Sequence, residues 1–211
     1  MEYTPDMLPS AMRYYVGSDH AVGLKQENDL TCLLPVGVDV NDNIWVLPDI
    51  FWKRADTGEV VEEMLNLVER RRPIEWWAES GHISKSFGPF LNKRIVERGV
   101  YFTLTEVTSS KDKPTRAQSI RGRMRMRKVF FPGYVSWWHF AKHELLSFPV
   151  GTHDDFVDAL SEIGQGLDKT CTPRTPKVTE SGLPRWIPTM KWIKNSDRAK
   201  RMAEMSRFEG R

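Results

Sequence analysis

The segment GTHDDFVDALSEIG, residues 151–164, sets Asp154, Asp155 and Asp158 into the opening turns of what reads as a helix. Asp154 and Asp158 stand four apart and Asp155 and Asp158 three apart, so on a helix they share a face and repel one another. That crowding is tolerated if the face lies in water or if positive charge sits opposite it. Two further acids close predicted strands: Asp19 ends RYYVGSD, and Glu79 ends IEWWAE. Ligands of open α/β sheets collect at the carboxyl ends of strands. Asp19 and Glu79 share such an end if their strands are parallel and adjacent. Hard cations such as Mg2+ or Mn2+ are held by a few carboxylates plus substrate phosphate. Two such ions about 4 Å apart can activate water and stabilise the leaving oxygen of a phosphodiester.

Each acid also has a plainer role. Thr152 with Asp155 makes a capping box, so capping and metal binding stay open for Asp155. Asp154 in a first turn is favourable to the helix dipole without any further role. Asp19 suits a turn, Glu79 a strand-end surface, and Asp158 a solvated acidic face. Asp158, set between Phe156–Val157 and Ala159–Leu160, is the hardest of these to leave in water. The metal reading rests on the set. His20, His82 and His153 adjoin these acids; such residues are ordinarily hydrogen-bonding, and His153 is the best placed as a ligand or proton shuttle.

Charge is segregated. Residues 111–128, KDKPTRAQSIRGRMRMRK, carry eight Lys/Arg against one Asp, and residues 168–211 carry eleven Lys/Arg against five Asp/Glu, in a chain of net charge +3. The remainder is therefore acidic. Two basic segments on an acidic body suit a polyanion partner, provided a cation neutralises the carboxylates that meet it. Lys111, Lys113, Arg116, Arg121, Arg123, Arg125 and Arg127 are the candidate phosphate contacts, although the alternation from 121 to 127 spreads charge around a helix, as a solvated helix also does. The pairs Trp76–Trp77 and Trp137–Trp138 read as packing.

The elements that must position these residues follow from periodicity. Strands are expected at 13–19, 31–38, 43–52, 74–79 and 100–107, with a hairpin at DVND and with Pro35 and Pro48 marking edges or bulges. A helix starts at Asp56 with Glu59 as capping box and carries Val60, Val61, Met64, Leu65 and Val68 at helical spacing until Pro73. Further helices are expected at 87–99, stopped by Gly99, at 114–127, at 136–148 and at about 152–167. The order predicts an α/β fold whose mixed sheet is antiparallel in an early meander and parallel through later crossovers. Residues 1–12 read as a linker stub, 13–167 as the domain, and 168–211 as a Pro-rich basic tail with a short helix near 197–207.

At 211 residues and 40% apolar content the chain can bury one full core. No apolar run approaches the roughly 20 residues of a membrane span. MEYTPDMLPS has neither the basic start nor the apolar middle of a signal peptide. Cys32 and Cys171 give neither a disulfide framework nor zinc-site spacing, so a reducing setting is expected.

YYVGSDHA resembles the opening strand of the nuclease domain of the tailed-bacteriophage terminase large subunit. IEWWAESG resembles that domain's strand bearing the second acid, and SSKDKPTRAQSIRG its K-x-x-R segment, here Lys113 and Arg116. FFPGYVSWWHFAKHELLSFPVGTHDDFVDALS is similar to its closing block of an apolar-Pro strand, an EL..FP helix and an HDD..DA helix. The resemblance spans about 13–167. It implies an RNase H-like fold and a divalent-metal endonuclease that cuts concatemeric double-stranded viral DNA, leaving 5′-phosphate and 3′-hydroxyl ends. It assigns Asp19, Glu79 and Asp158 to the acidic triad, Asp155 to a further acid or histidine, and Asp154 to a less constant position. Glu stands at the second acid where the family also has Asp.

The family's ATPase half has no counterpart here, since no G-x-x-x-x-G-K-[ST] is present. The chain reads as an excised nuclease half. The resemblance implies the ATPase half, the portal and the small terminase subunit as partners, no membrane, and the host cytoplasm as the setting. The rival readings are a Holliday-junction resolvase on the same fold, which would prefer branched DNA, and a non-catalytic DNA-binding or docking module, which would bind with a salt slope but without metal dependence.

Overall fold

The structure, a computed structural model, describes residues 1–20, 30–81, 83, 87–107, 112–151 and 153–170. Expectations for His82, Lys111, Thr152 and the segment 171–211 lie outside the described residues. Strand β1 is Glu2–Tyr3, β2 Arg13–Asp19, β3 Thr31–Val38, β4 Ile44–Val46 and β5 Phe51–Lys53. Helix α1 is Thr57–Arg71, followed by β6 Glu75–Glu79, α2 Gly88–Arg98 and β7 Leu104–Val107. The remainder is α3 Lys113–Arg116, α4 Gln118–Arg125, β8 Val129–Pro132, α5 Trp138–Ser147 and α6 Asp155–Lys169. No helix among the described residues is long and apolar enough to cross a membrane.

The sheet runs β1-β8-β4-β3-β2-β6-β7, with β5 also on β3. The meander is antiparallel, β2 on β3 and β3 on β4 and β5. The strands reached by crossovers are parallel: β6 on β2, β7 on β6, β8 on β4. This is the mixed sheet expected from the element order.

Local chemistry explains the element ends. The Asp56 side chain accepts the Glu59 N–H at 2.9 Å, as the capping pattern predicts. Gly99 ends α2 at φ 66, a left-handed conformation that suits glycine. In the β3–β4 turn Asp39, 5% exposed, accepts from the backbone of Asn41 and Asn43 and from the Asn43 and Trp45 side chains. Those bonds hold its carboxyl below the usual range despite burial.

Several boundaries differ from expectation. Residues 1–12 are not merely a linker: Glu2–Tyr3 pairs with Phe131–Pro132, and Tyr3 is buried with its hydroxyl donating to Val46 O at 2.7 Å. The strand expected over 43–52 breaks in two around Pro48, whose ring nitrogen cannot donate to a ladder. The basic helix expected over 114–127 is two segments meeting at Ala117. The last helix begins at Asp155 and runs to Lys169.

Helices cover both faces. On one, α1 and α2 pack Val60, Met64, Leu65 and Leu91 against Val16, Leu33, Trp76 and Ala78. On the other, Phe156, Ala159, Leu160 and Ile163 of α6, with Ile120 of α4 and Ala141 of α5, pack against Tyr15, Leu34, Val36 and Trp77. Side chains alternate along a strand. Tyr15, Gly17 and Asp19 of β2 therefore share the α6 face, as do Glu75, Trp77 and Glu79 of β6. That alternation decides where the acids point.

Candidate metal centre

Asp19 is the last residue of β2 and Glu79 the last of β6. The strands are parallel and in register through Ser18↔Ala78, so the two acids leave the sheet side by side, one step further on. By strand alternation both belong to the face covered by α6. Helix α6 can come close because glycines line the contact. A Cβ on Gly17 would lie 2.3 Å from Ala159 O, and one on Gly166 would lie 2.1 Å from the Trp77 ring. The close approach brings Asp158, 8% exposed, over the strand ends.

Two cations knit this cluster. Lys113 Nζ lies 2.5 Å from Asp154 Oδ2 and 3.2 Å from Asp158 Oδ2. Arg116, 7% exposed, lies 3.5 Å from Glu79 Oε1, 3.6 Å from Asp158 Oδ1 and 3.8 Å from Glu162 Oε1. Glu162 escaped the sequence reading. It is 1% exposed, and neither carboxylate oxygen has a hydrogen-bond partner among the described residues. It stands four residues after Asp158, on the same helical face. The available signal was an acid amid Ala159, Leu160, Ile163 and Gly164.

The electrostatics are those of crowded, desolvated carboxylates. Burial first, then Asp158, Asp155 and Glu79, push Asp19 up to about 8. Burial pushes Glu162 up to about 7 against the pull of Arg116, with Glu79 and Asp158 adding to the rise. Glu144 of α5 rises to about 7 through burial and Asp155, although it accepts the Phe156 N–H at 3.1 Å. Asp158 rises through burial while Arg116 and Lys113 oppose the shift. Asp19, Glu79, Asp154, Asp155 and Asp158 thus form one electrostatic cluster. Among the described residues, however, no three carboxylate, imidazole or thiol groups converge tightly enough to enclose an ion as they stand. The set is oxygen-rich and in excess negative charge, which fits a hard divalent cation; in this arrangement Lys113 and Arg116 do part of the neutralising.

The basic segment divides by face. Lys113 and Arg116, expected as phosphate contacts, turn to the carboxylates, so Arg116 is not a surface phosphate contact. Arg121, Arg125 and Arg127 are exposed, and Arg123 pairs with Asp168 at 3.2 Å. Among the histidines, His20 is buried, hydrogen-bonded through Nε2 to Ser18 Oγ at 2.9 Å, in a chain continued by Trp76 Nε1 donating to Ser18 Oγ at 2.8 Å. His153 is exposed beside Asp154.

No protein-family profile and no curated protein sequence matches the chain. Solved structures do match. The large terminase nuclease from thermophilic phage G20c with bound magnesium is 17% identical, with 77% of this chain and 83% of that chain covered and a TM-score of 0.53. The Thermus phage P74-26 large terminase nuclease domain is 16% identical over 76% of this chain and 80% of that one, TM-score 0.51. The HK97 bacteriophage large terminase is 15% identical over 75% of this chain but 40% of its own length, TM-score 0.54. The fold is thus that of the terminase nuclease domains, an RNase H-like mixed sheet, as the motif resemblance implies.

Proposed function

We propose that the chain is the metal-dependent endonuclease domain of a phage terminase, cutting concatemeric double-stranded DNA. The observation that supports this reading is that Asp19 and Glu79 end adjacent parallel strands and that Asp158, on the helix across them, couples electrostatically to Asp19. Support comes from the shared fold and from the G20c nuclease, solved with zinc, magnesium and cobalt bound. Asp19, Glu79 and Asp158, with Asp155 and Asp154, would hold one or two Mg2+ or Mn2+ ions. Bound there, such ions supply Lewis-acid activation of water and neutralise charge on the departing 3′ oxygen.

The chain's own residues do the rest. Lys113 and Arg116 hold Asp154, Glu79 and Asp158 over the strand ends, and α6 shields the cluster from bulk water. Arg121, Arg125 and Arg127 meet the phosphate backbone without reading sequence. The partners in this reading are duplex DNA and, in the assembled terminase, the ATPase half, the portal and the small subunit, in the host cytoplasm.

The test is plasmid cleavage. Wild-type chain with Mg2+ or Mn2+ converts supercoiled plasmid to linear and shorter products. Asp158→Asn loses at least about a hundredfold in rate with its circular dichroism unchanged, in keeping with the several kcal/mol that charge stabilisation contributes. A wild type inert with both metals, or an Asp158→Asn variant that cuts normally, refutes the reading.

A further inference from the structure

On the α5 side of the acids lies a cavity of about 630 Å³ that no element of the metal centre fills. That size is within the range of small-molecule sites. Its apolar walls are aromatic: Trp52 of β5, Trp137, and Phe140 of α5, which is 61% exposed. Arg54 and three imidazoles, His139, His143 and His153, also line it. Glu144 joins the two sites, since it lines the cavity and accepts the N–H of Phe156, next to Asp155. Glu144 accepts that N–H through one carboxylate oxygen, and the guanidinium and the imidazoles are the hydrogen-bonding nitrogens of the cavity wall.

We infer that this cavity binds a single nucleotide, its base against the aromatic walls and its phosphate toward Arg54 and the imidazoles. Stacking on aromatic faces is sequence-tolerant, because every base has a π-face. A guanidinium with imidazole donors matches a phosphate's charge and acceptors. Flat aromatic walls alone would suit any planar ligand; the cationic group beside them selects an anionic one. The inference rests on the endonuclease reading, since its ligand class is that of the proposed substrate.

The experiment titrates the full 211-residue chain, with no divalent metal, with dAMP, deoxyadenosine and inorganic phosphate by calorimetry. dAMP is expected to bind more tightly than either fragment. Phe140→Ala should weaken dAMP and deoxyadenosine alike, by about fivefold or more. Arg54→Met should weaken dAMP and leave deoxyadenosine unchanged; should that variant fail to fold, His143→Gln, at an exposed position, reads the phosphate end instead. Absence of saturable dAMP binding to the wild type, or equal affinity in the variants, overturns the inference. Because no metal is present, failure here is separable from failure of plasmid cleavage, which reads the acids.

Discussion

Asp19→Asn is expected to make the protein more stable at alkaline pH, by an amount that grows with pH. The Asp19 carboxyl has an ordinary value of 3.8 and stands at about 8 in the fold, chiefly through burial and then through Asp158, Asp155 and Glu79. Between those two values the native state holds a proton that the unfolded chain has released. Native binds more protons than unfolded, so stability falls as pH rises through that window. Well below 3.8 both states are protonated and the group contributes nothing. Above pH 8 the full penalty applies. At 1.36 kcal/mol per unit its ceiling is roughly 5–6 kcal/mol, and side-chain relaxation and solvent screening bring the expected effect to about 1–3 kcal/mol. Asparagine keeps the volume and removes the charge.

The assay is urea unfolding of wild type and Asp19→Asn at pH 4.5, 6.5 and 8.5, with and without Mg2+. The stability gap should be smallest at pH 4.5 and widen to favour the variant by at least about 1 kcal/mol at pH 8.5, with unchanged m-value. Mg2+ should stabilise the wild type at pH 8.5 by mass action and the variant markedly less. A gap independent of pH, or a variant less stable than wild type at pH 8.5, refutes the argument that Asp19 is crowded and desolvated.

Arg116→Met should destabilise the fold by about 3–5 kcal/mol in urea, because Glu79, Asp158 and Glu162 lose a buried cation; an unchanged midpoint would show that the guanidinium is dispensable there. Gly17→Ala should cost about 1–3 kcal/mol, since its Cβ meets Ala159 O at 2.3 Å and α6 must move; it should also weaken Mn2+ binding followed by electron paramagnetic resonance, and retention of both properties would exclude the close packing. Replacing Arg121, Arg125 and Arg127 together by Ala should weaken duplex binding on all sequences alike and lower the salt slope by about one for every phosphate left unneutralised; a slope unchanged in fluorescence anisotropy removes these residues from the interface.

The strands that end in Asp19 and Glu79 were legible because RYYVGSD and IEWWAE combine β-forming residues with polar ends, and the helix after Asp56 because its cap and its apolar period agree. What local pattern could not supply was partnership across the chain. Arg116 and Lys113 belong to a run of like charges, and counting charge gives the whole run one role. Their carboxylate partners lie 37 to 46 residues away, at Glu79, Asp154, Asp158 and Glu162.

Spacing alone does not separate the basic residues by face. Ala117, Ile120 and Met124 fall three and four apart, and the structure packs all three toward the core, the first two fully buried. Arg121 adjoins that stripe as closely as Arg116 does, four residues after Ala117 and three before Met124, yet Arg116 is buried in the short helix before Ala117 whereas Arg121 and Arg125 stay in water. Desolvating a guanidinium costs several kcal/mol unless carboxylates meet it. A buried basic residue therefore calls for acids opposite, and α6 supplies Asp158 and Glu162 one turn apart on the facing helix. Like-charged neighbours on α6 and a buried arginine on the segment before α4 are thus one arrangement: each would be unfavourable alone, and each accounts for the other.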